Sequence, residues 1–89
     1  MIYYEEKVKK KIKKGDLPKN IIKRFHNAFM SLDLTKDLGL FDIKRMKGSY
    51  NREYYRLRKG KYRAIFYFEE KDIFVIDIGK REEIYNLWV

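Results

Sequence analysis

The sequence predicts an α+β fold, in which an N-terminal αα-hairpin packs on a small, mainly antiparallel β-sheet and a short helix or tail closes the chain. Three observations carry this. Residues 17–32 place apolar side chains at helical spacing, and residues 53–78 hold three alternating segments rich in Tyr, Phe, Ile and Val. Short turn signals separate those segments. With 89 residues the chain reads as one domain, residues 1–89, of a size at which a single core is feasible.

Composition narrows the function. Hydrophobic residues make up 45% and aromatics 17%, enough for a core and unlike a disordered tail. Lys and Arg total 22 against 13 Asp and Glu, a formal charge of +9, so the expected partner is a polyanion, either nucleic acid or an acidic protein. The absence of cysteine removes disulfides and thiolate metal sites. No apolar run approaches transmembrane length, and Met1-Ile2-Tyr3-Tyr4 lacks the apolar stretch of a signal peptide. A cytoplasmic location is expected, with no membrane partner.

Residues 3–14 form the first predicted helix, because Tyr4, Val8 and Ile12 recur every fourth position. Glu5 and Glu6 at its start and Lys9, Lys10, Lys11, Lys13 and Lys14 toward its end suit the helix dipole. The lysine run reads as a solvated face first and as a phosphate-binding stripe second. Gly15 ends this helix, and Asp16 is expected to cap the next, with Pro18 in its first turn. Leu17, Ile21, Ile22, Phe25, Ala28, Phe29 and Leu32 then give the strongest helical periodicity in the chain. His26, the lone histidine, falls off that stripe and reads as a surface residue without a catalytic role.

Residues 33–39 are polar and loop-like, and Leu38, Leu40, Phe41 and Ile43 tuck the linker onto the core. Residues 43–46 are expected to start the sheet. Lys44, Arg45 and Lys47 lead into a turn over residues 48–51 and read equally as nucleic-acid contacts or as edge-strand surface charge. Residues 53–58, 61–68 and 73–78 make a β-meander, with Lys59-Gly60 as a two-residue hairpin loop. That loop sets Arg58 opposite Lys61, Leu57 opposite Tyr62 and Arg56 opposite Arg63. Tyr54, Arg56 and Arg58 then share a face with Lys61 and Arg63. Like charges directly opposite each other destabilise a sheet, so this cluster reads as an anion site.

The central strand is apolar on both faces, with Tyr62, Ala64, Phe66 and Phe68 on one and Ile65 and Tyr67 on the other. Helices cover one face, and the other is a partly apolar groove ending at the arginine cluster. Asp77 interrupts the last strand and is expected to pair with a nearby Lys or Arg. Beyond Ile78-Gly79, Ile84, Leu87 and Trp88 fit a short helix or tail that buries Trp88. Tyr85, beside that set, is either a core-edge residue or a functional phenol near Arg81.

The chain has no Ser/His/Asp set, no phosphate-binding loop and no carboxylate or histidine cluster at metal-ligand spacing. RNA cleavage by the neighbouring 2′-hydroxyl needs neither an enzyme nucleophile nor a metal. It needs orientation, charge stabilisation and proton movement, and arginine forks suit the second task.

Lys47-Gly48, Tyr55-Arg56-Leu57-Arg58, Gly60, Tyr62-Arg63, Ile78-Gly79, Lys80-Arg81 and Tyr85 occur in an order and spacing that resembles the RelE/ParE superfamily, small toxins of toxin–antitoxin pairs. The resemblance runs from Ile43 to the C-terminus, more loosely over the helices. The superfamily opens with a β-strand, for which only residues 1–4 are available here. The resemblance implies a ribosome-dependent endoribonuclease, an mRNA interferase without metal or cofactor. Arg63 and Arg81 match positions that bind the scissile phosphate, Arg56 matches a basic position near the acid–base work, and Tyr85 matches a tyrosine that stacks on a base or moves a proton. Tyr54 falls where some relatives carry a lysine. Lys44, Arg45, Lys47, Tyr54, Arg58, Lys61 and Lys80 complete the expected RNA-binding set. The implied partners are ribosome, mRNA and a RelB-like antitoxin with an acidic amphipathic segment. Two other readings stand beside this one: a ParE-like DNA gyrase inhibitor, and a basic RNA-binding module without activity.

Overall fold

The computed structural model describes residues 1–48 and 50–88. The predicted turn over residues 48–51 includes Ser49, which lies outside the described residues, as does Val89. The chain runs through β1 (Ile2–Tyr4), α1 (Glu6–Lys14), α2 (Lys19–Thr35), a 3-10 turn (Leu38–Leu40), β2 (Ile43–Arg45), β3 (Tyr55–Lys59), β4 (Tyr62–Glu69), β5 (Asp72–Lys80) and α3 (Arg81–Trp88). The sheet order is β1-β5-β4-β3-β2. β1 pairs parallel to β5, and every other pairing is antiparallel. This is the predicted α+β fold, with an αα-hairpin, a mainly antiparallel sheet and a C-terminal helix.

The first helix is shorter than expected. Tyr3 and Tyr4 sit opposite Phe74 and Val75 in β1, so the helix begins at Glu6, and Tyr4 reaches the core from a strand instead of a helical stripe. Val8 is fully buried and Ile12 packs beside it, as their spacing requires. Gly15 closes α1 at φ 76°: its N–H donates to Ile12 O, and the Asp16 N–H donates to Lys11 O. Asp16 therefore finishes the first helix through its backbone and does not cap the second. Pro18 occupies the N-cap of α2 without a side-chain cap bond.

The seven apolar positions predicted for the second helix all turn inward, six of them buried and Ile22 partly so, although Leu17 precedes the helix, which begins at Lys19. They pack with Leu57, Ala64, Phe66, Ile73, Val75 and Ile78 on one face of the sheet. The opposite face carries a second, smaller cluster, in which Ile65 and Ile76 meet Ile84 of α3. One layer thus holds α1 and α2, and α3 lies across the other. Leu87 is 58% exposed, against expectation, because Ile84 and Trp88 form the inward stripe one turn apart and Leu87 falls beside it.

The β3–β4 hairpin turns one residue later than predicted. Gly60 and Lys61 form the loop, so Leu57 faces Ala64, Arg58 faces Arg63 and Lys59 faces Tyr62. Gly60 takes φ 59° at the first loop position, where a type II′ hairpin calls for glycine. Moving a two-residue loop by one position changes each cross-strand partner by two, which keeps every side chain on its face. Arg56, Arg58 and Arg63 therefore share a face as expected, while Lys61 leaves the strand for the turn.

Candidate functional site

The α3 face of β2, β3 and β4 presents Lys44, Arg56, Arg58 and Arg63, because Leu57 and Ala64, their strand neighbours, point into the helix-side core. Lys44 stands directly opposite Arg56, and Arg58 opposite Arg63. Where β5 passes into α3, Arg81 and, one turn on, Ile84 and Tyr85 complete the wall. The result is an open cavity of about 290 Å³ lined by Asp42, Lys44, Arg56, Arg58, Arg63, Arg81, Ile84 and Tyr85.

Two contacts shape the cationic wall. Arg63 Nη1 donates to Gly60 O at 2.9 Å and to Tyr62 O at 3.0 Å, which pins its guanidinium beside the hairpin turn. Burial, and then the charges of Arg58, Arg56 and Arg81, push its pKa below the ordinary arginine value. Arg58 Nε meets Asp42 Oδ2 at 2.8 Å. Five cations and one carboxylate therefore line the cavity, an arrangement whose mutual repulsion a bound anion relieves. Tyr85 is 54% exposed, so its ring is open to a ligand.

Comparison with known structures places this geometry. The chain superimposes on the structure of the RelB–RelE antitoxin–toxin complex from Methanococcus jannaschii with a TM-score of 0.75 and 27% identity, over 98% of this chain and 99% of that one. Its fold is RelE-like. The archaeal RelE–RelB complex from Pyrococcus horikoshii OT3 is similar at a TM-score of 0.70 and 25% identity, over 90% of this chain and 92% of that one. YafQ from E. coli strain BL21(DE3) shares the fold, with a TM-score of 0.64 at 16% identity over 96% of this chain and 97% of that one. No protein-family model matches the chain, and no curated protein matches it.

In this RelE-like chain all four residues expected to be catalytic, Arg56, Arg63, Arg81 and Tyr85, line one cavity, together with Lys44 and Arg58 of the expected RNA-binding set. The other five do not line it. Arg45 alternates away from Lys44 and pairs with Glu53 at 3.2 Å. Lys80 lies opposite Tyr62, whose ring packs on the helix side. Lys61 is in the hairpin turn, and Lys47 is exposed beyond β2. Tyr54 packs against the rings of Tyr50, Tyr67 and Trp88 and borders a second cavity, of about 410 Å³, with Arg52 and Ile76. Asp42 was absent from the sequence-derived set. It precedes the first cationic strand, and only the β2–β3 pairing brings it to Arg58.

The seat of α3 depends on Asp77, which pairs with lysines as its place in the last strand led one to expect. Asp77 is fully buried, and its carboxylate accepts from Lys7 Nζ at 2.9 Å, Lys11 Nζ at 3.0 Å and Trp88 Nε1 at 3.1 Å. Burial raises its pKa, but the hydrogen bonds from Lys7, Trp88 and Lys11 outweigh that and hold it below the ordinary carboxylate value. Lys11 also donates to Ile78 O at 2.8 Å and to the Glu83 carboxylate. At Gly79 a Cβ would run into the Glu83 side chain and come 3.3 Å from Ile84 Cδ1, so glycine lets α3 approach the sheet. Among the described residues, no three His, Asp or Glu side chains converge as metal ligands, and no helix is long and apolar enough to cross a membrane.

Proposed function

We propose that this RelE-like toxin is a metal-independent, ribosome-dependent endoribonuclease that acts in the cytoplasm on mRNA in the decoding site. One observation carries the reading: Arg56, Arg63, Arg81 and Tyr85, which come from three separate elements, line a single open cationic cavity. In this mechanism Arg63 and Arg81 grip the scissile phosphate with paired N–H donors and offset the charge that builds as the 2′-oxygen attacks phosphorus. Arg56 adds charge beside them, and Lys44 and Arg58 hold the adjoining backbone. Tyr85, exposed on α3, stacks on a base or hands a proton to the leaving 5′-oxygen. The ribosome supplies what a small open cavity lacks, a strand held with its 2′-hydroxyl in line.

The partner proposed is a RelB-like antitoxin whose acidic amphipathic segment covers this basic surface. Charge complementarity supports it, as do the two archaeal relatives, each solved as a complex of RelE with RelB.

The test is primer extension on translating ribosomes with purified protein, beside Arg81→Ala and Arg63→Ala. Cuts at decoding-site codons are expected with the native chain, at least about 100-fold slower in either variant, since each removes a charge-stabilising donor. Undiminished cutting by both variants would remove the assigned mechanism. If the native chain makes no cuts, supercoiling by DNA gyrase becomes the assay to run.

A further inference from the structure

The nuclease reading leaves one task without a residue: something must take the proton from the attacking 2′-hydroxyl. Arginine and lysine are proton donors with no acceptor to offer, and a phenol serves the leaving oxygen better as a donor. Among the described residues, Asp42 is the one carboxylate lining the cavity. A carboxylate oxygen can accept a proton.

Resting on that reading, we propose that Asp42 is the proton acceptor of the cleavage step. Three features of its setting support the role. Its ion pair with Arg58 runs from Nε to Oδ2 at 2.8 Å, and among the described residues it has no other ion pair, which leaves Oδ1 for the substrate. Its side chain is 49% exposed, so the carboxylate is reachable by a strand lying in the cavity. It also shares that cavity with Arg63 and Arg81, so a phosphate held by those arginines brings its own 2′-hydroxyl to the same wall. Arg58 pairs with one carboxylate oxygen of Asp42 at 2.8 Å and leaves the second without an ion pair among the described residues.

The step balances without a co-reactant. The 2′-O–H proton passes to Asp42 Oδ1, the 2′-oxygen bonds phosphorus, and the P–O5′ bond breaks with its electron pair on O5′. That oxygen takes a proton from Tyr85 or water, giving a 2′,3′-cyclic phosphate and a 5′-hydroxyl end. Proton release to solvent then restores Asp42, and where Tyr85 was the donor its phenolate takes a proton back from water.

The experiment is single-turnover cleavage of mRNA on programmed ribosomes, across pH, with the native chain, Asp42→Asn and Asp42→Glu. Asparagine keeps the shape and an acceptor for Arg58 but lacks basicity. The expected result is a kcat about 10²- to 10⁴-fold lower for Asp42→Asn, with KM within a few-fold and the acid limb of the pH profile gone. Asp42→Glu should recover part of the rate and the acid limb. A raised KM with kcat and acid limb intact would overturn the proposal and make Asp42 a holder of Arg58. An Asp42→Asn variant that cleaves like the native chain would overturn it too, leaving the nuclease reading standing. A native chain that cuts nothing would fail that reading itself, and the proposal with it.

Discussion

Lys44 faces Arg56 and Arg58 faces Arg63 across antiparallel pairs, an arrangement that costs folding free energy and gains meaning only from a ligand. Lys44 is exposed on an edge strand, which makes it the cleanest position for testing that trade. Lys44→Gln removes one of two facing cations and is expected to raise stability by about 0.2 to 1 kcal/mol. Urea unfolding in a buffer free of multivalent anions measures it. The same variant should bind single-stranded RNA more weakly. A variant less stable than the native chain would show that the facing charges carry no penalty. The arginines were legible in the sequence because strand alternation survives a one-residue error in the hairpin turn. Asp42 was not legible, since its meeting with Arg58 depends on the pairing of β2 with β3, two segments separated by a loop. Asp77 was expected to pair with a nearby cation and does, but Lys11 was read as solvated charge, because helical spacing marks an apolar stripe and does not say which lysine meets a carboxylate on a distant strand.

The helix α3 carries Arg81 and Tyr85, and its seat is ionic as much as apolar. Asp77 gathers Lys7, Lys11 and Trp88, and Lys11 passes on to Glu83, so α1, β5 and α3 are tied at one point. Removing the carboxylate breaks a buried ion pair, a change whose general cost is about 3 to 5 kcal/mol, although Lys11 keeps Ile78 O and Glu83 as partners. Because Lys7 is 48% exposed and can turn to water, the low end of that range is expected for Asp77→Ala. Trp88 is the only tryptophan, so its emission reports the seat of α3 directly and should shift to the red. The folded-state pKa of Asp77 is depressed from 3.8. Its contribution is therefore complete above that ordinary value and fades as pH falls through the lower folded value. Asp77→Asn should accordingly flatten the stability profile in that acid window; an unchanged acid slope would mean that the network does not govern this helix. The body of helix α2 was legible, because its apolar positions leave no competing period, but its start was not, since Pro18 and not Asp16 takes the N-cap. The resemblance left residues 1–4 as the one place for the first strand, yet Tyr3 and Tyr4 were also read into α1, since three residues cannot display a period and the partner strand, β5, lies at the far end of the chain.

The formal charge of +9 does not by itself say where a polyanion binds, and the fold divides that charge between two faces. The cavity holds Lys44, Arg56, Arg58, Arg63 and Arg81 on the α3 side of the sheet. Lys9, Lys10, Lys13 and Lys14 are exposed on α1, which packs against the other side. Each phosphate neutralised on a single strand contributes about 0.7 to the slope of log affinity against log salt. If RNA lies in the cavity, Arg63→Ala should lower the magnitude of that slope by roughly this amount. Changing the four α1 lysines to Gln takes the formal charge from +9 to +5. That variant should leave the slope unchanged, because a solvated helix face screens beyond about 10 Å at 0.1 M salt and reaches no phosphate held across the sheet. Fluorescence anisotropy with a short labelled RNA, titrated at several salt concentrations, separates the two. A slope that falls with the α1 variant and not with Arg63→Ala would move the binding face to the helix side, and the arginine cavity would then need a ligand other than RNA.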